Sequence, residues 1–265
     1  MCAPYVVAAA RKGPRPKGHP RRPKARVRLP NAGFSQIEDL THPLSPAIPP
    51  WPGEEAHRLE ATPLAEVAKD GYYLRAVAHV EHLGTHLDAP AHFAEGGATV
   101  EAIPADRLVA PLFVISIAEK AAQDPDAELT AEDLAAFEAR HGPIPEGAVV
   151  ALYSGWERYI TDAKRLYNPD AAGRLHFPGF SPEAARILVE SRRVAGLGTD
   201  TPSLDPGRSE TFSVHQIALP AGVYGVENLA RLGRVPPAGS WIVIGAPSLV
   251  GGSGVPVRAF ALWSR

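Results

Sequence analysis

HVEHLGTHLDAPAH, residues 79–92, gathers four histidines and one aspartate into fourteen positions of a 265-residue chain that holds only ten histidines. His82, His86, Asp88 and His92 share one parity, so an extended segment would project all four from the same face. Extension alone cannot make them a site. At about 3.3 Å per residue His82 and Asp88 would lie roughly 20 Å apart, whereas ligands of one ion sit about 2 Å from it. The chain therefore has to curl, and Gly84 and Pro90 are residue types that permit or enforce bends. His82 and His86 can then meet over one turn-like step, with Asp88 closing the group. Imidazole nitrogens suit zinc, manganese or iron, and a carboxylate has two oxygens that can bridge a pair of ions. Three protein ligands plus water is the pattern of an open, catalytic site. A lone histidine in such a loop reads as a surface or backbone-bonded residue; HxxxHxD followed by a fourth histidine reads as metal chemistry. The spacing names neither the metal nor the reaction.

Working outward, the single Cys2 excludes an internal disulfide framework and a cysteine-based zinc cluster, leaving histidine and carboxylate as the ligands. The 28 prolines and 24 glycines point to many turns and short elements. No period of 20–50 residues marks a solenoid. No window approaches a membrane-spanning helix, and the expected location is the cytoplasm. Nine of the 27 Lys/Arg fall in residues 1–28, which contain no acid, so the other 18 face all 29 Asp/Glu in an acidic body. Residues 1–33 read as a basic, proline-rich disordered tail. A nucleic-acid or anionic-membrane tether is the sharper reading of that tail, a solvated extension the plainer one, and nucleic acid is not an expected partner. Residues 34–265 read as one domain.

Within that domain, residues 72–80, 110–118, 148–156, 194–200, 213–219, 240–246 and 255–263 have strand-like composition. TAEDLAAFEARHG predicts a helix with Thr130 as N-cap, Asp133 three positions on and Gly142 as the stop. SPEAARILVESRR, 181–193, predicts another, opened by a Ser cap and Pro at its first position. Strands alternating with modest helices, several of the strands apolar on both faces, predict an α/β fold: a single domain of mixed sheet covered on both sides by other elements. Asp200 and Asp205, in TDTPSLDPG (199–207), read as turn formers that bond the backbone. On residue type alone, His215 reads as a strand histidine and Glu227 as an acid in the first turn of a helix.

HLGTHLDAPAH closely resembles the HxGTHxDxPxH signature of the cyclase family of metal-dependent hydrolases, which includes bacterial kynurenine formamidases and isatin hydrolases. LTHPLSPAIPPWPG (40–53), TDTPSLDPG and SVHQIALPAGVYGVENLARL (213–232) resemble further elements of that family, so the likeness spans roughly residues 37–263. It implies mixed sheets flanked by helices in a swivelling β/β/α-like arrangement. It also implies a first metal cluster at His82, His86 and Asp88, a second at His215 and Glu227, and His92 as the acid/base. Trp51, Trp156 and Phe177 become substrate-binding candidates. YSGW (153–156), HFPGF (176–180) and IGAPSLVGGSG (244–254) resemble the isatin hydrolase branch, in which a single manganese sits in the first cluster. The resemblance thus implies one or two Zn²⁺ or Mn²⁺ ions, a small aromatic amide as substrate (N-formylkynurenine or a cyclic amide such as isatin) and a homo-oligomer. A ring-forming cyclase or lactone hydrolase of secondary metabolism, and a metal-stabilised binding module without catalysis, stand as alternatives.

Overall fold

The computed structural model describes residues 33–264; apart from Gly33, the expected basic tail lies outside the described residues. In chain order the strands are β1 (Gln36–Asp39), β2 (Glu60–Ala65), β3 (Leu74–Ala78), β4 (His86–Asp88), β5 (Val109–Ser116), β6 (Glu128–Leu129) and β7 (Val149–Tyr153). They continue as β8 (Gly179–Phe180), β9 (Gly196–Thr199), β10 (Tyr224–Glu227), β11 (Ser240–Gly245), β12 (Gly254–Pro256) and β13 (Arg258–Trp263). Nine of them form one mixed sheet in the order β1-β13-β11-β5-β7-β9-β10-β4-β12. Its centre, β5-β7-β9-β10, is parallel, and the flanks are antiparallel.

Alternation along the central strands explains why both sheet faces are buried. Val149 and Ala151 of β7 join one core cluster, while Val150 and Leu152 join another. The first cluster takes Ala259 and Ala261 from β13 together with Leu87 of β4 and Val255 of β12, so the sheet curls until strands near its two ends share one core. The second is roofed by three helices: α1 (Ala131–His141), α2 (Pro182–Arg186) and α3 (Ser213–Ala218). Leu134, Phe137, Ala184, Leu188 and Val214 fill it. Each fully buried Leu or Val contributes about 1.5–3 kcal/mol relative to exposure.

Local signals account for two of the helices. Thr130 accepts from the Asp133 amide and Asp133 reaches back to the Thr130 amide, a reciprocal cap, and α1 stops at Gly142. Ser181 caps α2 with Pro182 at the first position, and the helix runs on through a wider turn, Ile187–Ser191, where the Arg192 amide reaches Ile187 O five residues back.

Three readings need correction. Within residues 213–219, Ser213–Ala218 form a helix rather than a strand, because the Asp205 carboxylate accepts the Val214 and His215 amides and caps the segment from a distant loop. Glu227 ends strand β10 and does not open a helix. Within 72–80 the strand is only β3, and it pairs with β2 in a separate ribbon whose β3 residues are all exposed. None of the helices among the described residues is long and apolar enough to cross a membrane.

Candidate metal centre

Strand β4 lies between β10 and β12, and its register builds the site. Asp88 stands opposite Gly225 on one side and Gly254 on the other, while His86 stands opposite Glu227 and Pro256. Leu87 and Val226 point into the curled core, so His86, Asp88 and Glu227 share the opposite face. Helix α3 carries His215 over that face, and the turn through Gly84 folds His82 back onto it.

Two triads result: His82–His86–Asp88, and Asp88–His215–Glu227, the ligand atoms of each lying within 4.8 Å of one another. His82 Nδ1 is 2.6 Å and His86 Nε2 3.2 Å from Asp88 Oδ1. On the other side His215 Nε2 is 3.6 Å from Asp88 Oδ2 and 3.2 Å from Glu227 Oε1. His86 Nε2 and Glu227 Oε2, 3.4 Å apart, join the triads. Asp88 Oδ2 is buried without a hydrogen bond, a costly state for a carboxylate oxygen unless a cation faces it. Donor types, distances and this orphaned oxygen all fit a divalent ion.

Each histidine of the triads is oriented through its other nitrogen. His86 Nδ1 bonds Gly84 O at 2.9 Å, His215 Nδ1 bonds Asp205 Oδ2 at 2.6 Å, and His82 Nε2 meets Ser253 Oγ at 3.0 Å, which in turn donates to Glu81. Such partners set the tautomer and ring plane. Asp205→Asn is therefore expected to weaken metal binding by about 10–100-fold with the fold kept, as measured by competition with a chelator; unchanged affinity would remove Asp205 from this role. Two glycines make room for the site. A Cβ at Gly254 would come within 2.3 Å of the His82 ring, and one at Gly225 within 2.8 Å of Asp88 Oδ2.

The charges are strongly coupled. Burial works against a charged His86, but the Asp88 and Glu227 carboxylates raise it to about 9. Burial likewise disfavours the Asp88 anion, yet His86, His215 and His82 hold it well below the usual carboxylate range. Burial and the neighbouring Asp88 push Glu227 up. The group gathers negative charge where a cation would compensate it.

His92 follows Asp88 across a short turn and stacks on His82 with ring centroids 4.0 Å apart. Its ring makes no hydrogen bond among the described residues. Desolvation beside its neighbours, partly opposed by Asp88, lowers it to about 4, so the ring is neutral at pH 7.

A cavity of about 420 Å³ opens over the triads, lined by all six of these residues and by Trp51, Phe93, Tyr167 and Phe212. Of the three substrate-binding candidates, Trp51 lines it. Trp156 and Phe177 do not: both are buried in a cluster with Leu166 and Tyr167 that backs the wall, and Phe177 borders a second cavity that shares Trp51 and Phe212. Trp156 is fixed by its indole N–H to Leu166 O and by its amide to Asp200, whose carboxyl burial pushes up to about 6. Asp200 thus bonds the backbone, though that of the distant Ser154–Trp156 turn and not of its own loop. Asp205 does this too, and its bond to His215 escaped the sequence reading. The aspartate ten positions before the histidine was visible, but its direction was not. Phe93, Tyr167 and Phe212 were missed because isolated aromatics carry no local signal.

Known proteins resemble this chain in sequence and in fold. A family model described as "Putative cyclase" matches residues 38–206. An isatin hydrolase of Roseibium aggregatum is 30% identical over 246 residues, covering 87% of this chain and 93% of that enzyme. A kynurenine formamidase of Salinibacter ruber is 28% identical, covering 83% and 94%. The solved structure of isatin hydrolase A from Labrenzia aggregata bound to benzyl benzoate superposes with a TM-score of 0.81 at 33% identity over 87% of this chain and 94% of that one. With the family model spanning more than half of its length and an isatin hydrolase 30% identical over 87% of it, this chain belongs to the cyclase family.

Proposed function

We propose that this protein is a metal-dependent hydrolase that cleaves the C–N bond of a small aryl amide, either a cyclic amide such as isatin or a formamide such as N-formylkynurenine. The observation that carries the reading is the Asp88 carboxylate, shared by two donor triads at the floor of an aromatic cavity. His82, His86 and Asp88 would hold one Zn²⁺ or Mn²⁺ ion, and Asp88, His215 and Glu227 a second where two are bound. An ion there supplies a water acidified toward neutral pH and polarises the scissile carbonyl.

The chain's own residues supply the rest. His92, stacked on His82 and with no ring hydrogen bond among the described residues, takes a proton from the attacking water and returns it to the leaving nitrogen. Trp51 and the facing aromatics hold a planar ring over the carboxylates and exclude water. Trp156 and Phe177 support that wall from behind. A free histidine beside the cluster is superfluous in a purely structural site, which favours catalysis over a metal-stabilised binding module. A homo-oligomer is supported by the β2–β3 ribbon, which leaves Leu64, Tyr73 and Val77 more than half exposed.

Protein stripped with a chelator and reloaded with Zn²⁺ or Mn²⁺ tests the proposal on isatin and N-formylkynurenine. Turnover that returns with the metal is expected on at least one of them. A stoichiometrically loaded protein that opens neither amide would sink it.

A further inference from the structure

The cavity over the triads carries a charge pattern that the hydrolytic chemistry does not require. Its lining holds four carboxylates, Glu54, Glu81, Asp88 and Glu227, and no lysine or arginine. Three of the four are committed: Asp88 and Glu227 to the donor triads, and Glu81 to the amide and hydroxyl of Ser253. Glu54 is different. It stands three residues after Trp51, its amide bonded to Trp51 O, and is half-buried in the cavity lining. Its carboxylate has neither a hydrogen-bond nor an ion-pair partner among the described residues. It lies close enough to Tyr167 that, after burial, the charges of Glu227, Glu54 and Glu55 push that phenol upward.

Aromatic rings complete the surroundings. Trp51 meets Tyr167 edge-on at 5.6 Å and Phe212 at 6.1 Å, and Phe212 meets Phe93 at 5.7 Å. Aromatic faces beside an unpaired carboxylate form a box that attracts a cation or a polarised N–H and repels an anion.

We propose that Glu54, with Trp51 and Tyr167, is the specificity determinant of this cavity, selecting substrates whose part remote from the scissile amide is uncharged or cationic and rejecting those bearing a carboxylate there. The inference rests on the hydrolase reading only for calling the ligand a substrate. Of the two amides considered, isatin, neutral and planar, meets the condition; N-formylkynurenine carries, beside its ammonium, a carboxylate for which the lining holds no lysine or arginine.

The test reads binding separately from turnover. Phenyltrimethylammonium, which cannot ligate a metal, is titrated into the metal-loaded full chain and followed by tryptophan fluorescence, with tert-butylbenzene as its uncharged counterpart of the same shape. The cation is expected to bind at least about tenfold more tightly than the hydrocarbon. Glu54→Gln should erase most of that difference, and Glu54→Asp should keep part of it. Equal affinity for both probes in the unmodified protein, or a cation affinity unmoved by Glu54→Gln, would overturn the assignment. Selective, Glu54-dependent binding without turnover of any amide would support the cation box and count against the hydrolase reading alone. Turnover of isatin with no cation preference would do the reverse.

Discussion

Asp88→Asn is expected to strip the metal from this protein and abolish turnover. Asp88 is the one residue common to both triads, with Oδ1 beside His82 and His86 and Oδ2 facing His215. A complete zinc ligand set is worth about 10–16 kcal/mol, so one ligand carries roughly 3 kcal/mol, or about 100-fold in affinity. The substitution removes an anionic ligand from each cluster at once. It also leaves buried imidazoles without the carboxylate that keeps His86 charged, and breaking a buried pair from one side costs about 3–5 kcal/mol. Elemental analysis after dialysis should find the variant empty, and thermal unfolding should show a lower midpoint than the chelated parent. A variant that retains its ion would show that Asp88 is not the shared ligand.

His92→Ala is expected to separate chemistry from metal binding. A positioned general base contributes about 10²–10⁴-fold, and His92 contacts the cluster by ring stacking with no bond to the ligand set. kcat should therefore fall by that factor while metal content and unfolding midpoint stay near those of the parent. Undiminished turnover would take the proton-transfer role away from His92. Loss of the metal would instead make it a fourth ligand.

How much of this was legible depended on how local each determinant was. The caps of α1 and α2 are written within three or four residues, and both helices begin where Thr130 and Ser181 predicted. Helix α3 was missed because six residues rich in apolar side chains read equally well as strand, and its cap, Asp205, acts across a loop. Trp156 and Phe177 stood near the right place in sequence but turned into the packing behind the wall, since large apolar rings follow burial rather than proximity to a site. Glu54 had no signal, because an unpaired carboxylate can be recognised only once its surroundings are known.

By itself the sequence determined the first triad, since HLGTHLD supplies three potential donors, the glycine turn that folds His82 back and the alternation that sets His86 and Asp88 on one face. It also determined the kind of fold, through apolar strands interleaved with capped helices. Only the tertiary structure decided the second triad. Glu227 reaches the site through the antiparallel register of β10 on β4, in which a slip of one residue would turn it into the core and bring Val226 out. His215 reaches it through a helix docked on the same face and held by Asp205. Register and docking are settled by burial of the whole sheet, a sum over residues far apart in the chain, and no short stretch contains it.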